Sequence, residues 1–153
     1  MEQLLNTLRA THPGLTFTEG PEFCWSPQEQ IVYYAPETSC TDIWSLLHEV
    51  SHGILQHRTY RTDFELLRLE ISAWEKARSL ARDHEIEIDD DHIEDCLDTY
   101  RDWLHKRSLC PACGIKSLQI EEGLYGCLNC AANWKVSNNR LCRPYRTKVA
   151  QTI

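Results

Sequence analysis

The run LLHEVSHGILQH, residues 46–57, decides how this chain is read. It sets His48 and His52 four residues apart, with Glu49 beside the first and His57 close behind the second. On a helix a four-residue step turns through about 40°, so both imidazoles leave one face and can grip a single zinc ion. Glu49, next to the first ring, is placed to take a proton from an attacking water and to return it to a leaving amine. A helix is expected here over 39–57. Ser39, with Asp42 three residues later, reads as a capping box at its start.

A catalytic zinc of this kind takes three protein ligands and keeps one position open. His57 is a poor third ligand: on a continuous helix it lies about 140° beyond His52 and points away. It also fails the spacing in which a third His follows the second by six residues. Glu70 is the better choice. On a second helix, expected over 61–85, it is flanked on one face by Leu66, Leu67, Ala73, Trp74, Ala77 and Ala81. A lone carboxylate on an apolar face is costly to bury unless it is paired or binds metal. A buried ion pair, for instance with an Arg, or a rotated helix that leaves Glu70 in water, are the alternatives. Asp63 shares the face but sits at the helix start, where capping is the plain reading.

HEVSH (48–52) followed by LEISAWEKA (69–77) resembles the gluzincins, zincin metallopeptidases whose third ligand is a Glu on the next helix. The compact ImmA/IrrE-like and minigluzincin groups are the most similar in pattern, over roughly residues 20–105. The resemblance implies a zinc metallopeptidase in which His48, His52 and Glu70 hold the catalytic ion and Glu49 is the general base. It also implies an edge strand that aligns an extended peptide by main-chain hydrogen bonds, matched here to Ile31–Tyr34 with Ile31, Val32 and Tyr33 as substrate contacts. An ordinary sheet strand is the alternative there. For the oxyanion-stabilising group such enzymes carry, Tyr60, His84, His92 and Tyr100 remain open candidates.

CPACG (110–114) and CLNC (127–130) form a second constellation. Two CxxC turns bring Cys110, Cys113, Cys127 and Cys130 together around one zinc ion with no position left open, the pattern of a structural site. It resembles a zinc ribbon. A module of this size buries too little core alone, so the metal is expected to stabilise its fold. Two zinc ions per chain are therefore expected, one catalytic and one structural. The remaining thiols, Cys24, Cys40, Cys96 and Cys142, are scattered. SprT-like proteases also join HExxH to a C-terminal ribbon, but that family uses a third His where this chain offers Glu70.

Charge divides the 153 residues in the same way. Residues 1–100 hold seven Lys/Arg against 20 Asp/Glu, and residues 101–153 hold nine against three. The net charge of −7 hides this asymmetry, and the split suggests two modules with different partners. Lys135, Arg140, Arg143, Arg146 and Lys148, interleaved with Trp134 and Tyr145, could hold phosphates and stack bases. Recruitment of a protein, or a docked tail whose end TKVAQTI (147–153) covers the cleft, are the other readings of this region.

The fold class expected is α+β. A zincin-like domain over 1–107 combines a short sheet with the motif helix and the glutamate helix, and a ribbon with a basic tail follows over 108–153. Further helices are expected over 1–10 and 88–107, and two strands within 23–36. The N-terminus lacks the basic start and apolar stretch of a signal peptide, and no run reaches the roughly 18 apolar residues of a membrane span. A cytoplasmic protein with a protein or peptide substrate and no membrane partner is expected. A non-catalytic regulator or adaptor, binding nucleic acid or protein through its ribbon, is the alternative function.

Overall fold

The computed structural model describes residues 1–36, 39–137 and 146–149. The chain is mixed α and β. Helix α1 (Glu2–Thr11) leads into strands β1 (Thr16–Glu19), β2 (Cys24–Ser26) and β3 (Ile31–Tyr34). Helices α2 (Cys40–Ile54), α3 (Asp63–Asp83) and α4 (Asp90–Ser108) follow. Four short strands close the described chain: β4 (Leu118–Glu121), β5 (Leu124–Gly126), β6 (Asn133–Val136) and β7 (Arg146–Val149). By internal contacts one compact unit is Met1–Thr59 with Arg68–Ile93, and the other joins Tyr60–Leu67 to the chain from Glu94 onward. The division passes through α3 and α4, whereas the reading as 1–107 and 108–153 rests on chemistry.

The first unit holds a three-stranded sheet in the order β1-β3-β2, with β1 parallel and β2 antiparallel to β3. The parallel strand β1 was not expected. It is four residues long, and only Phe17 in it is buried, so its periodicity carries little signal. This sheet corrects one expectation: β3 is the central strand, not an edge. Neighbours occupy the main-chain groups of Ile31, Val32 and Tyr33 on both sides, which leaves no free edge there for a peptide.

The capping box of α2 forms as expected. Asp42 N–H donates to Ser39 Oγ at 3.1 Å, and Ser39 N–H donates to Asp42 Oδ2 at 2.6 Å. Leu46, Leu47 and Val50 are fully buried along the helix. Gly53 permits the close approach of α2 to its neighbours. A Cβ there would lie 2.9 Å from Leu15 and 3.2 Å from Trp25, closer than packed carbon atoms approach.

The helix ends sooner than the histidine pattern suggested. Gln56 adopts φ 54°, Gln56 N–H bonds to Gly53 O, and His57 N–H bonds to His52 O at 3.0 Å. This is a Schellman ending with Gln in the left-handed position that Gly usually fills. It turns His57 back under the helix, where a continuous helix would have pointed it away.

In the second unit the strands run β4-β5-β6-β7, all antiparallel. Their core is Cys110, Tyr125, Cys127 and Trp134. Tyr125 stacks on Trp134 at 5.5 Å, and Trp134 Nε1–H donates to Arg107 O at 3.1 Å. Trp134 is fully buried and so has no face to offer a base, contrary to its expected place in a nucleic-acid surface. Lys135 lies in β6, and Arg146 and Lys148 lie in β7. Arg140, Cys142, Arg143 and Tyr145 lie outside the described residues. Thr147–Val149, read from the sequence as part of a tail end that covers the cleft, pair with β6.

Candidate metal centres

α2 and α3 bring three groups to one point. His48 Nε2 lies 3.2 Å from Glu70 Oε2 and 3.1 Å from His52 Nε2, and His52 Nε2 lies 3.7 Å from the same carboxylate oxygen. His48 and Glu70 are buried and His52 nearly so. Zinc bonds of 2.0–2.1 Å in a tetrahedron imply ligand atoms roughly 3.3–3.4 Å apart. The triangle's three edges bracket that spacing, and two imidazoles with one carboxylate are a donor set zinc accepts. The three residues therefore fit a metal ion. Burial alone would push the Glu70 carboxyl up, but the His48 and His52 rings outweigh it and hold it down at about 2. The carboxylate thus stays ionised, and no Arg is needed to pair it.

Glu49 stands beside this triangle without joining it. Its Oε2 accepts the Trp25 N–H at 2.8 Å, which ties the carboxylate to edge strand β2. Burial raises the Glu49 pKa, opposed by the two His rings and the Trp25 amide. A raised carboxyl pKa moves a general base toward the range in which it works best.

Around these groups lie residues the motif did not reveal. Trp74 lays its ring 4.2 Å from that of His48, so the AW of LEISAWEKA packs on a candidate ligand. His57 meets His52 on the far side, Nδ1 to Nδ1 at 2.9 Å, and its Nε2 lies 3.4 Å from Ser72 Oγ. Burial and the neighbouring His52 pull the His57 pKa down to about 4. His57 is outside the His48/His52/Glu70 group, and it faces the back of the His52 ring rather than pointing away as a continuous helix would have it. Of the oxyanion candidates, His92 is linked to the centre through Trp74, whose ring lies 5.7 Å away. His84 neighbours His12, while Tyr60 and Tyr100 belong to the second unit.

The second cluster is closed. Cys110 Sγ lies 3.5 Å from Cys130 Sγ, and Cys113 Sγ lies 3.6 Å from Cys127 Sγ. Zinc–sulfur bonds of 2.3 Å imply a tetrahedral edge of about 3.8 Å, so the four thiols fit one ion. Each knuckle closes with a backbone bond, Gly114 N–H to Cys110 O and Ala131 N–H to Cys127 O, both 2.9 Å. The closing residue is left-handed in both, Gly114 at φ 74° and Ala131 at φ 57°. The Ser117 hydroxyl and the Cys130 backbone amide draw the Cys127 thiol down to about 6, toward the thiolate that binds metal.

Among the described residues no helix is long and apolar enough to cross a membrane. Comparison with family models, with curated proteins and with solved structures found no match for this chain.

Proposed function

We propose that this protein is a zinc-dependent metalloendopeptidase of the gluzincin type. The observation that carries the reading is the triangle of His48, His52 and Glu70 at tetrahedral spacing, with the Glu49 carboxylate beside it and anchored to an edge strand. Zinc bound to the triangle would supply Lewis acidity, which makes water a competent nucleophile near neutral pH. His48, His52 and Glu70 would hold it and leave one side open. Glu49 would accept the proton of the attacking water and hand it to the leaving amine. The Trp25 amide fixes one of its oxygens; the other has no partner among the described residues and is available for the proton.

Strand β2, rather than β3, would align the substrate. It is an edge of its sheet, and the Trp25 N–H leaves it toward Glu49 rather than toward β3. An extended peptide lying along this edge would bring its scissile bond close to the base. Cys110, Cys113, Cys127 and Cys130 would hold a second, structural zinc. The ribbon would recruit protein, for which exposed Leu118, Ile120 and Leu128 provide apolar surface. The same surface is what favours the second reading, a non-catalytic adaptor that docks a protein partner.

The test is digestion of an unfolded protein mixture by wild type and by Glu49→Gln, each assayed for zinc. Cleavage by wild type alone, with two zinc ions in both proteins, supports the peptidase. Retained cleavage by Glu49→Gln removes the mechanism. No cleavage by a fully loaded wild type favours the adaptor.

A further inference from the structure

Hydrogen-bond direction around His57 has one consistent solution. Ser72 Oγ lies 2.9 Å from Leu69 O, and a carbonyl can only accept, so the Ser72 hydroxyl donates to it. The Ser72 oxygen is then left as an acceptor toward His57 Nε2 at 3.4 Å, which must carry the ring proton. In a neutral imidazole the other nitrogen has only a lone pair, so His57 Nδ1 accepts from His52 Nδ1–H at 2.9 Å. His52 Nε2 is thereby left with its lone pair aimed at His48 and Glu70. The order runs outward from a backbone carbonyl and needs no metal to set it.

The backbone of His57 is pinned as well. Its N–H is held by His52 O in the Schellman turn, and its carbonyl accepts Trp25 Nε1–H at 2.9 Å. The ring is therefore fixed from both ends of its residue. His48 lacks such a partner: its buried Nδ1 has none among the described residues, and its ring rests against Trp74.

We propose that His57, backed by Ser72, is the positioning residue of the His/His/Glu centre, selecting the one tautomer of His52 that can ligate through Nε2. This rests on reading His48, His52 and Glu70 as metal ligands. Outer partners of ligating histidines are usually carboxylates, carbonyls or water, and losing one costs about 10–100-fold in metal affinity. Here a second histidine fills that role because the helix ending delivers its ring to the back of the first.

The experiment uses the full chain with its ribbon loaded. Zinc affinity of the second equivalent is measured by chelator competition for wild type, His57→Phe, His57→Asn and Ser72→Ala. The ring nitrogens of His52 are observed by ¹⁵N NMR after that equivalent is stripped. His57→Phe is expected to weaken binding by about 10–100-fold. His57→Asn should largely restore it, because the amide oxygen can replace Nδ1 as acceptor. Ser72→Ala should show a smaller loss. Wild-type His52 should carry its proton on Nδ1.

Unchanged affinity in His57→Phe, or Asn as weak as Phe, would overturn the proposal while leaving the ligand set intact. If the Phe variant does not fold, the wild-type spectrum decides: a proton on Nε2 of His52 overturns the proposal. A wild type that binds only the ribbon zinc removes the ligand reading itself, and the positioning role with it.

Discussion

The two candidate metal-ligand clusters are assembled in opposite ways. Cys110 and Cys113 share one tight turn and Cys127 and Cys130 another, each closed by its own backbone bond. His48 and His52 share a helix turn, but Glu70 comes from a different helix 22 residues on and reaches His48 by packing. Four thiols meet in the sulfur cluster, a set that would close a tetrahedral site, and three groups meet in the His/His/Glu cluster, a set that would leave one position open. A closed set can only hold an ion and thereby a fold, whereas an open set leaves room for a reacting group. On the proposed reading, the number of ligands each cluster offers would separate a structural ion from a reactive one within one chain.

Metal removal should affect the two clusters most differently. Cys127→Ser should reduce bound zinc from two per chain to one and unfold the ribbon, since structural zinc contributes on the order of 10 kcal/mol in small modules. Zinc analysis with NMR of the β4–β7 amides checks this. Intact ribbon signals in the variant would break the comparison. At the open centre, Glu49→Gln should lower peptide cleavage by about 10²–10⁴-fold with both zinc ions retained. Parallel kinetics and zinc assays read the two quantities. A loss of zinc would mean that Glu49 is a ligand rather than a base.

Gly53→Ala should destabilise the protein by about 1–3 kcal/mol in denaturant unfolding, because the added methyl overlaps Leu15. Gly114 and Ala131 occupy equivalent left-handed positions in the two knuckles. Gly114→Ala should therefore cost about 1 kcal/mol, and Ala131→Gly should recover somewhat less than that. Thermal melts of the zinc-loaded protein distinguish them by sign. Equal signs would show that the two turns are not equivalent.

Local patterns were legible where neighbours in sequence are neighbours in space. The capping box at Ser39, the one-face projection of His48 and His52, and both CxxC turns need only a few residues of chain, so spacing alone predicts them. Glu70 was legible too, because a carboxylate amid Leu, Ala and Trp on one helix face demands a partner. The sequence carries no signal for β1, whose four residues gain their place by pairing with β3. It also misled on Ile31–Tyr34, since strand order in a sheet is set by long-range pairing and not by strand composition.

By itself, then, the sequence determined which side chains can meet across one turn of helix or one knuckle, because backbone geometry makes those distances nearly invariant. Only the tertiary structure decided that Trp25 anchors Glu49, that His57 backs His52, and that Trp134 is core rather than surface. Each of these depends on where a helix stops or which strand lies at an edge. Those outcomes follow from the packing of the unit as a whole, in which one left-handed residue, Gln56, redirects a ring that helical periodicity had sent away.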